Sequence, residues 1–176
     1  MFEEVENKDN EMDLENVDIK REQVNTGEIR KVKVPYHRMN PLKKNWDTIV
    51  KLIAEKMKLL IRMNVRHRVI ELKPSEVCED NLNLNRATDF LKAFMLGFEL
   101  NDAVSLLRMD DLYIESFEIK DVKRLHGQHL SRAIARITGE KGKTKNSIEN
   151  STKTRIIVAS SKIHILGSYG NIKLAR

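Results

Sequence analysis

Ile137-Thr138-Gly139-Glu140-Lys141-Gly142-Lys143-Thr144-Lys145-Asn146-Ser147-Ile148-Glu149 is the stretch whose reading decides the fold. It reads as a helix that stops, a four-residue G-x-x-G loop, and a second helix that opens on lysines. Two glycines let the backbone turn sharply and let another group approach it, because no Cβ stands in the way. Free N–H groups at the start of the next helix would then point at an anion such as a phosphate. The tetrapeptide alone is weak in a chain with 7 glycines. Its plain alternative is a C-cap glycine followed by an ordinary turn.

The flanks argue against that alternative. Upstream, Leu130, Ile134 and Ile137 fall at helical spacing and make an apolar stripe, while Arg132 and Arg136 lie off it. Downstream, Ile148 faces the core and Lys143 and Lys145 stay in water. Two strand-like runs follow, at 154–159 and 162–166, with Ser160 and Ser161 as the turn of a hairpin. An opening strand at 112–119 precedes the whole unit. The order strand, helix, GxxG, helix, strand, strand resembles that of K-homology (KH) domains, which clamp a single-stranded RNA backbone with this loop.

Charge concentrates around the same loop. The formal net charge is +6. Residues 1–28 hold ten acidic and three basic side chains, a net of −7, and read as a disordered acidic tail. From Asp121 onward, twelve Lys/Arg stand against Asp121, Glu140 and Glu149, a net of +9. Cations beside a backbone-cradling loop favour phosphate through direct attraction and counterion release.

Composition narrows the remaining classes. No run of eighteen apolar residues suggests a membrane span, and the acidic N-terminus is unlike a secretory signal. The single cysteine, Cys78, forms no internal disulfide and no metal-ligand set, which suits a reducing compartment. Asp110-Asp111 is a paired carboxylate that could hold a nuclease metal. Adjacent side chains diverge, however, and no third acid has suitable spacing, so a turn or cap role is expected. His126 and His129 read as cap or packing residues rather than zinc ligands, and Trp46 as core rather than a base-stacking platform. No metal and no cofactor is expected.

The first half repeats the pattern. Residues 30–35 read as a strand. A helix opens at Asn40-Pro41-Leu42 and buries a stripe of Trp46, Ile49, Val50, Ile53 and Met57. Residues 59–65 and 68–72 read as a strand pair, 86–98 as an amphipathic helix, and Asn101-Asp102 as the cap of another helix through Leu107. No glycine lies between Gly27 and Gly97, so this copy contains no phosphate cradle. The fold class is α/β (α+β): two tandem KH-like domains, the first degenerate and lacking GxxG (29–109), the second a type I KH domain with GxxG (110–176). A helix beginning near Tyr169 should cover one face of the second sheet. A truncated chain, an unusually short helix or a partner covering that face all stay open.

Longer blocks carry a more specific resemblance. They include Asn40-Pro41-Leu42-Lys43-Lys44-Asn45-Trp46, residues 87–98, 107–122 and 125–134, Gly142-Lys143-Thr144-Lys145, Ile148-Glu149-Asn150 and residues 163–168. Together they resemble the partner-of-NOB-one (Dim-two) family over roughly 30–176. The resemblance implies a non-enzymatic RNA-binding factor for small-subunit ribosome assembly, working in the nucleus and nucleolus and with late pre-40S particles in the cytoplasm. Its implied partners are the single-stranded 3′ region of small-subunit pre-rRNA, the pre-40S ribosomal particle and the endonuclease of the NOB-one family, whose cut it assists or regulates. The RNA-contacting loop it implies falls on Gly139, Glu140, Lys141 and Gly142, followed by Lys143 and Lys145. Thr138, Arg132, Arg136 and Arg155 complete the expected RNA-binding set, with apolar residues of the adjoining strand and helix bounding a groove for bases. Glu140 stands where the family often has a basic or small residue. It motivates a second reading, a protein–protein adaptor with a vestigial loop. A third, the metal-dependent nuclease, rests on Asp110 and Asp111 alone.

Overall fold

The computed structural model describes residues 29–75 and 81–176. The acidic tail at 1–28 and Cys78 lie outside the described residues. Two three-stranded antiparallel sheets organise the described residues. In the first, β1 (Arg30–Lys33), β2 (Leu59–Asn64) and β3 (Val69–Pro74) take the order β1-β3-β2. In the second, β4 (Leu112–Glu118), β5 (Arg155–Ala159) and β6 (Lys162–Ser168) take the order β4-β6-β5. Each sheet thus places its third strand in the middle, and the two units share one topology despite their slight sequence likeness.

Their helices differ where it matters. In the first unit a 3-10 turn (Tyr36–Arg38) and one long helix, α1 (Met39–Met57), join β1 to β2. It buries Leu42, Ile49, Ile53 and Met57, while Trp46 and Val50 are half-buried. An uninterrupted 19-residue helix leaves no loop where the second unit has one. α2 (Asn81–Leu96) starts five residues before the expected Arg86, because Leu84 extends the buried stripe one turn further back. α3 (Leu100–Arg108) starts at Leu100 behind an extended Glu99, so Asn101 and Asp102 sit inside its first turn rather than capping it. The second unit continues with a helical turn, α4 (Ile119–Val122), then α5 (Gly127–Thr138), α6 (Lys143–Thr152) and α7 (Tyr169–Ala175).

The second sheet is covered on both faces, and strand alternation assigns the layers. Phe117, Ile156, Val158, Ile163 and Ile165 point toward α5, α6 and α7, in a cluster that α7 completes with Ile172. The alternate residues Leu112, Ile114, Ile157 and Leu166 join the core of the first unit, alongside Phe90, Phe98 and Leu107 of α2, its following turn and α3. Burial of each large aliphatic side chain in such a layer is worth about 1.5–3 kcal/mol. One face of the second sheet is therefore held by the first unit.

Candidate nucleic-acid interface

α5 is strongly amphipathic. Leu130, Ala133, Ile134 and Ile137 pack into the second core, and Arg132 and Arg136 stand exposed one turn apart. Gly139 ends the helix with φ 72° and ψ 176°, a conformation open essentially to glycine alone, while its N–H donates to Ala135 O at 2.8 Å. Lys141 follows with φ 52°, and Gly142, with φ 80°, precedes α6.

The two glycines have different reasons to be glycine. A Cβ on Gly139 would lie 2.2 Å from Thr144 Oγ1 and 2.8 Å from Thr144 N, so the first turn of α6 occupies that space. A Cβ on Gly142 would meet nothing closer than the Asn146 side chain at 3.8 Å. Close approach by an outside group is therefore available at Gly142 and not at Gly139. The loop amides are also less free than their position suggests. Gly142 N–H donates to Gly139 O at 3.3 Å, and Lys143 N–H donates to Glu140 O. The side chains of Lys141 and Lys143 are both exposed at the loop.

A groove of about 490 Å³ runs beside the loop. Its floor is apolar, from Ile134 on α5 and from Ile156, Ile157 and Val158 on β5; Thr138, Lys141, Lys145 and Asn146 make the polar rim. Ser160 of the β5–β6 turn and Gly97 of the first unit also line it. Of the residues expected to bind RNA, Thr138, Lys141, Gly142 and Lys145 line this groove; Asn146, Ser160 and Gly97 line it too and were not among those expected. Lys145 is partly engaged, with Nζ 3.5 Å from Glu149 Oε1, a pairing visible beforehand as an i,i+4 spacing.

Arg155 does not line the groove beside the loop but the neighbouring one between the units. It lies on the sheet face that meets the first unit, and its Nε donates to Asp102 Oδ1 at 3.1 Å. That bond, with the nearby Asp102, Glu149 and Glu99 charges, raises its pKa above the ordinary guanidinium value. Glu149 is buried and shapes the same corner: its Oε1 accepts the Ile156 N–H at 2.7 Å and so fixes β5 against α6. Glu140 is exposed at the loop tip. Asp110 pairs with Arg86 in the turn before β4. His126 sits just ahead of α5, its carbonyl accepting the His129 N–H at 3.2 Å. Among the described residues no three His, Cys, Asp or Glu side chains gather as a metal site.

Residues 116–176 match the eukaryotic type KH domain (KH-domain type I) of PNO1 proteins. The pre-rRNA-processing protein PNO1 of Candida albicans is 56% identical over 149 residues, covering 85% of this chain and 54% of the relative. The RNA-binding protein pno1 of Drosophila melanogaster is 56% identical over 149 residues, covering 85% of this chain and 62% of its own length. The chain belongs to the partner-of-NOB-one family. It spans less than two-thirds of the length of these curated relatives. Solved structures agree with the fold. Dim2p from Pyrococcus horikoshii superposes with a TM-score of 0.71 at 26% identity, over 84% of this chain and 86% of that one. The same archaeal protein in a complex described as a/eIF2alpha-aDim2p-rRNA gives 0.70 at 27% identity, over 84% and 80%. The partner-of-NOB-one architecture accounts for both halves: a first KH-like unit whose single long helix excludes the loop, and a type I KH domain that carries it.

Proposed function

We propose that this chain binds single-stranded RNA in the groove beside Gly139–Gly142, and that its natural ligand is the 3′ region of small-subunit pre-rRNA within the pre-40S particle. In this reading it is a non-enzymatic factor of the nucleus and nucleolus that positions the RNA for, and regulates, cleavage by a NOB-one-family endonuclease. The observation that carries the proposal is the groove itself: about 490 Å³ with an apolar floor, lined by Lys141 and Lys145 and by the open face of Gly142. Bases splayed onto such a floor, with the sugar–phosphate held at the loop, are how this kind of loop engages single strands. The names of the relatives, which include an RNA-binding protein and pre-rRNA-processing proteins, support the same ligand class.

The internally engaged amides of Gly139, Gly142 and Lys143 favour the second reading, a protein adaptor with a vestigial loop. Titration of the intact chain with a short single-stranded RNA across a salt series decides between them. RNA binding predicts log affinity falling with log salt by about 0.7 for each phosphate contacted, and a large loss in Gly142→Asp with the fold retained. Absence of RNA binding in a chain that still binds the endonuclease would leave the adaptor.

A further inference from the structure

The groove does not end within the KH domain. It continues into a second groove of about 400 Å³ between the units, and Gly97, Lys145, Asn146, Ile156 and Ile157 line both. The far wall is the turn between α2 and α3. α2 ends there in a double turn: Phe98 N–H donates to Ala93 O and Gly97 N–H to Phe94 O, with Gly97 at φ 121°. A Cβ on Gly97 would stand 3.5 Å from Ile157 Cδ1, so this turn lies directly against β5. It is also held in place. The Arg38 guanidinium donates to Phe94 O at 3.0 and 2.8 Å and to Phe98 O at 3.4 Å, and stacks 4.8 Å from the Phe94 ring centre.

The two ends of the combined groove differ in charge. Lys141 and Lys145 line the loop end, and Lys143 stands exposed beside it. Glu99, Asp102 and Glu149 line the inter-unit end, where Arg155 is bonded to Asp102 and Lys145 is close to Glu149. Glu99 is exposed, with Arg155 close enough to feel its charge but bonded to Asp102 instead.

Resting on the RNA reading above, we propose that the GxxG-less first unit forms part of the nucleotide site: the Gly97–Glu99 turn is its second wall, and the Glu99 carboxylate ends the track by repelling the backbone phosphate of any nucleotide that reaches it. The strand then keeps its sugar–phosphate on the loop side, and its chain leaves the protein at the inter-unit end. Since screening confines a surface charge to about 8 Å at physiological salt, Glu99 acts on nucleotides that extend to it far more than on those held at the loop.

The test uses the intact chain and two unstructured RNAs, one of about four nucleotides, the length a GxxG loop clamps, and one about twice as long. Affinities are measured by NMR titration for the wild type, Glu99→Gln and Glu99→Lys. Expected is a roughly threefold tighter hold on the longer RNA in Glu99→Gln and a larger gain in Glu99→Lys. The salt slope for the longer RNA in Glu99→Lys should steepen by about 0.7, one added phosphate contact on a single strand, with the shorter RNA nearly unchanged. Equal gains on both lengths, or a gain on neither, would overturn the proposal. If the wild type bound neither RNA, the RNA reading would fail and this inference with it; wild-type binding with unresponsive Glu99 variants removes this inference alone.

Discussion

Arg155 Nε and Asp102 Oδ1 lie 3.1 Å apart, joining β5 of the second unit to α3 of the first across 53 residues of sequence. The side chains are 53% and 25% exposed, so solvent screens the pair and its contribution is modest. A double-mutant cycle with Arg155→Ala and Asp102→Ala, read by urea unfolding, should give a coupling of about 0.5–1 kcal/mol. Arg155→Ala should leave the proposed affinity for an RNA of about four nucleotides, held at the loop, within twofold, whereas Lys141→Ala with Lys143→Ala should lower it at least tenfold. A strong loss of RNA affinity in Arg155→Ala would return that residue to the RNA-binding set.

Glu149 carries a heavier structural duty than its charge suggests. Its carboxylate is buried and accepts the Ile156 N–H at 2.7 Å, satisfying an outward amide of an edge strand. Glu149→Ala strands that donor and should cost about 2–3 kcal/mol, visible as a lower denaturant midpoint. Glu149→Gln keeps an acceptor oxygen and should recover more than half. Equal losses in the two variants would mean that the bond to Ile156 is not what the carboxylate supplies.

The two loop glycines should separate under substitution. Gly139→Ala must adopt φ 72° and ψ 176° and also push against Thr144, so it should destabilise by about 3 kcal/mol or more. Gly142→Ala faces open space and meets only the left-handed penalty of about 1–2 kcal/mol. Thermal or urea unfolding of the two variants checks the ordering, and a Gly142→Ala variant less stable than Gly139→Ala would contradict the geometry.

His164 offers a pH signature. It is buried on the sheet face shared with the first unit, with Nδ1 2.6 Å from Ser116 Oγ, and burial, with Lys162 nearby, lowers its pKa. The neutral ring is therefore the form the fold accepts. Above about pH 6.5, the ordinary histidine value, both folded and unfolded chains are neutral there and this stability is fully present. As pH falls below that value the unfolded chain takes up the proton first, so stability declines until the folded pKa is passed. His164→Gln should flatten the stability profile in that window. A wild-type profile that is already flat between pH 6.5 and 5 would remove the basis for this account.

Much of this architecture was legible in the residues. The stripe of Leu130, Ile134 and Ile137, the alternation of β5 and β6 and the glycines at 139 and 142 are properties of neighbours within about one helical turn, and each names its own local structure. The same locality explains what was not legible. α2 begins at Asn81 because Leu84 finds a buried place in the first core, which no propensity of Asn81 or Asn83 announces. Arg155 reads as a phosphate ligand because it is a cation near a basic loop; its bond to Asp102, far away in the chain, is invisible to any local pattern.

Element order, the absence of a cradle in the first half and the position of the cationic loop were thus set by the one-dimensional text, since periodicity and backbone stereochemistry act over a few residues. Which side of that loop is open, where Arg155 points, and that Gly97 and Ile134 line one groove were settled by packing. Those outcomes depend on the β4-β6-β5 sheet sharing a core with α2 and α3, and so on contacts between residues that meet only once the whole chain has closed.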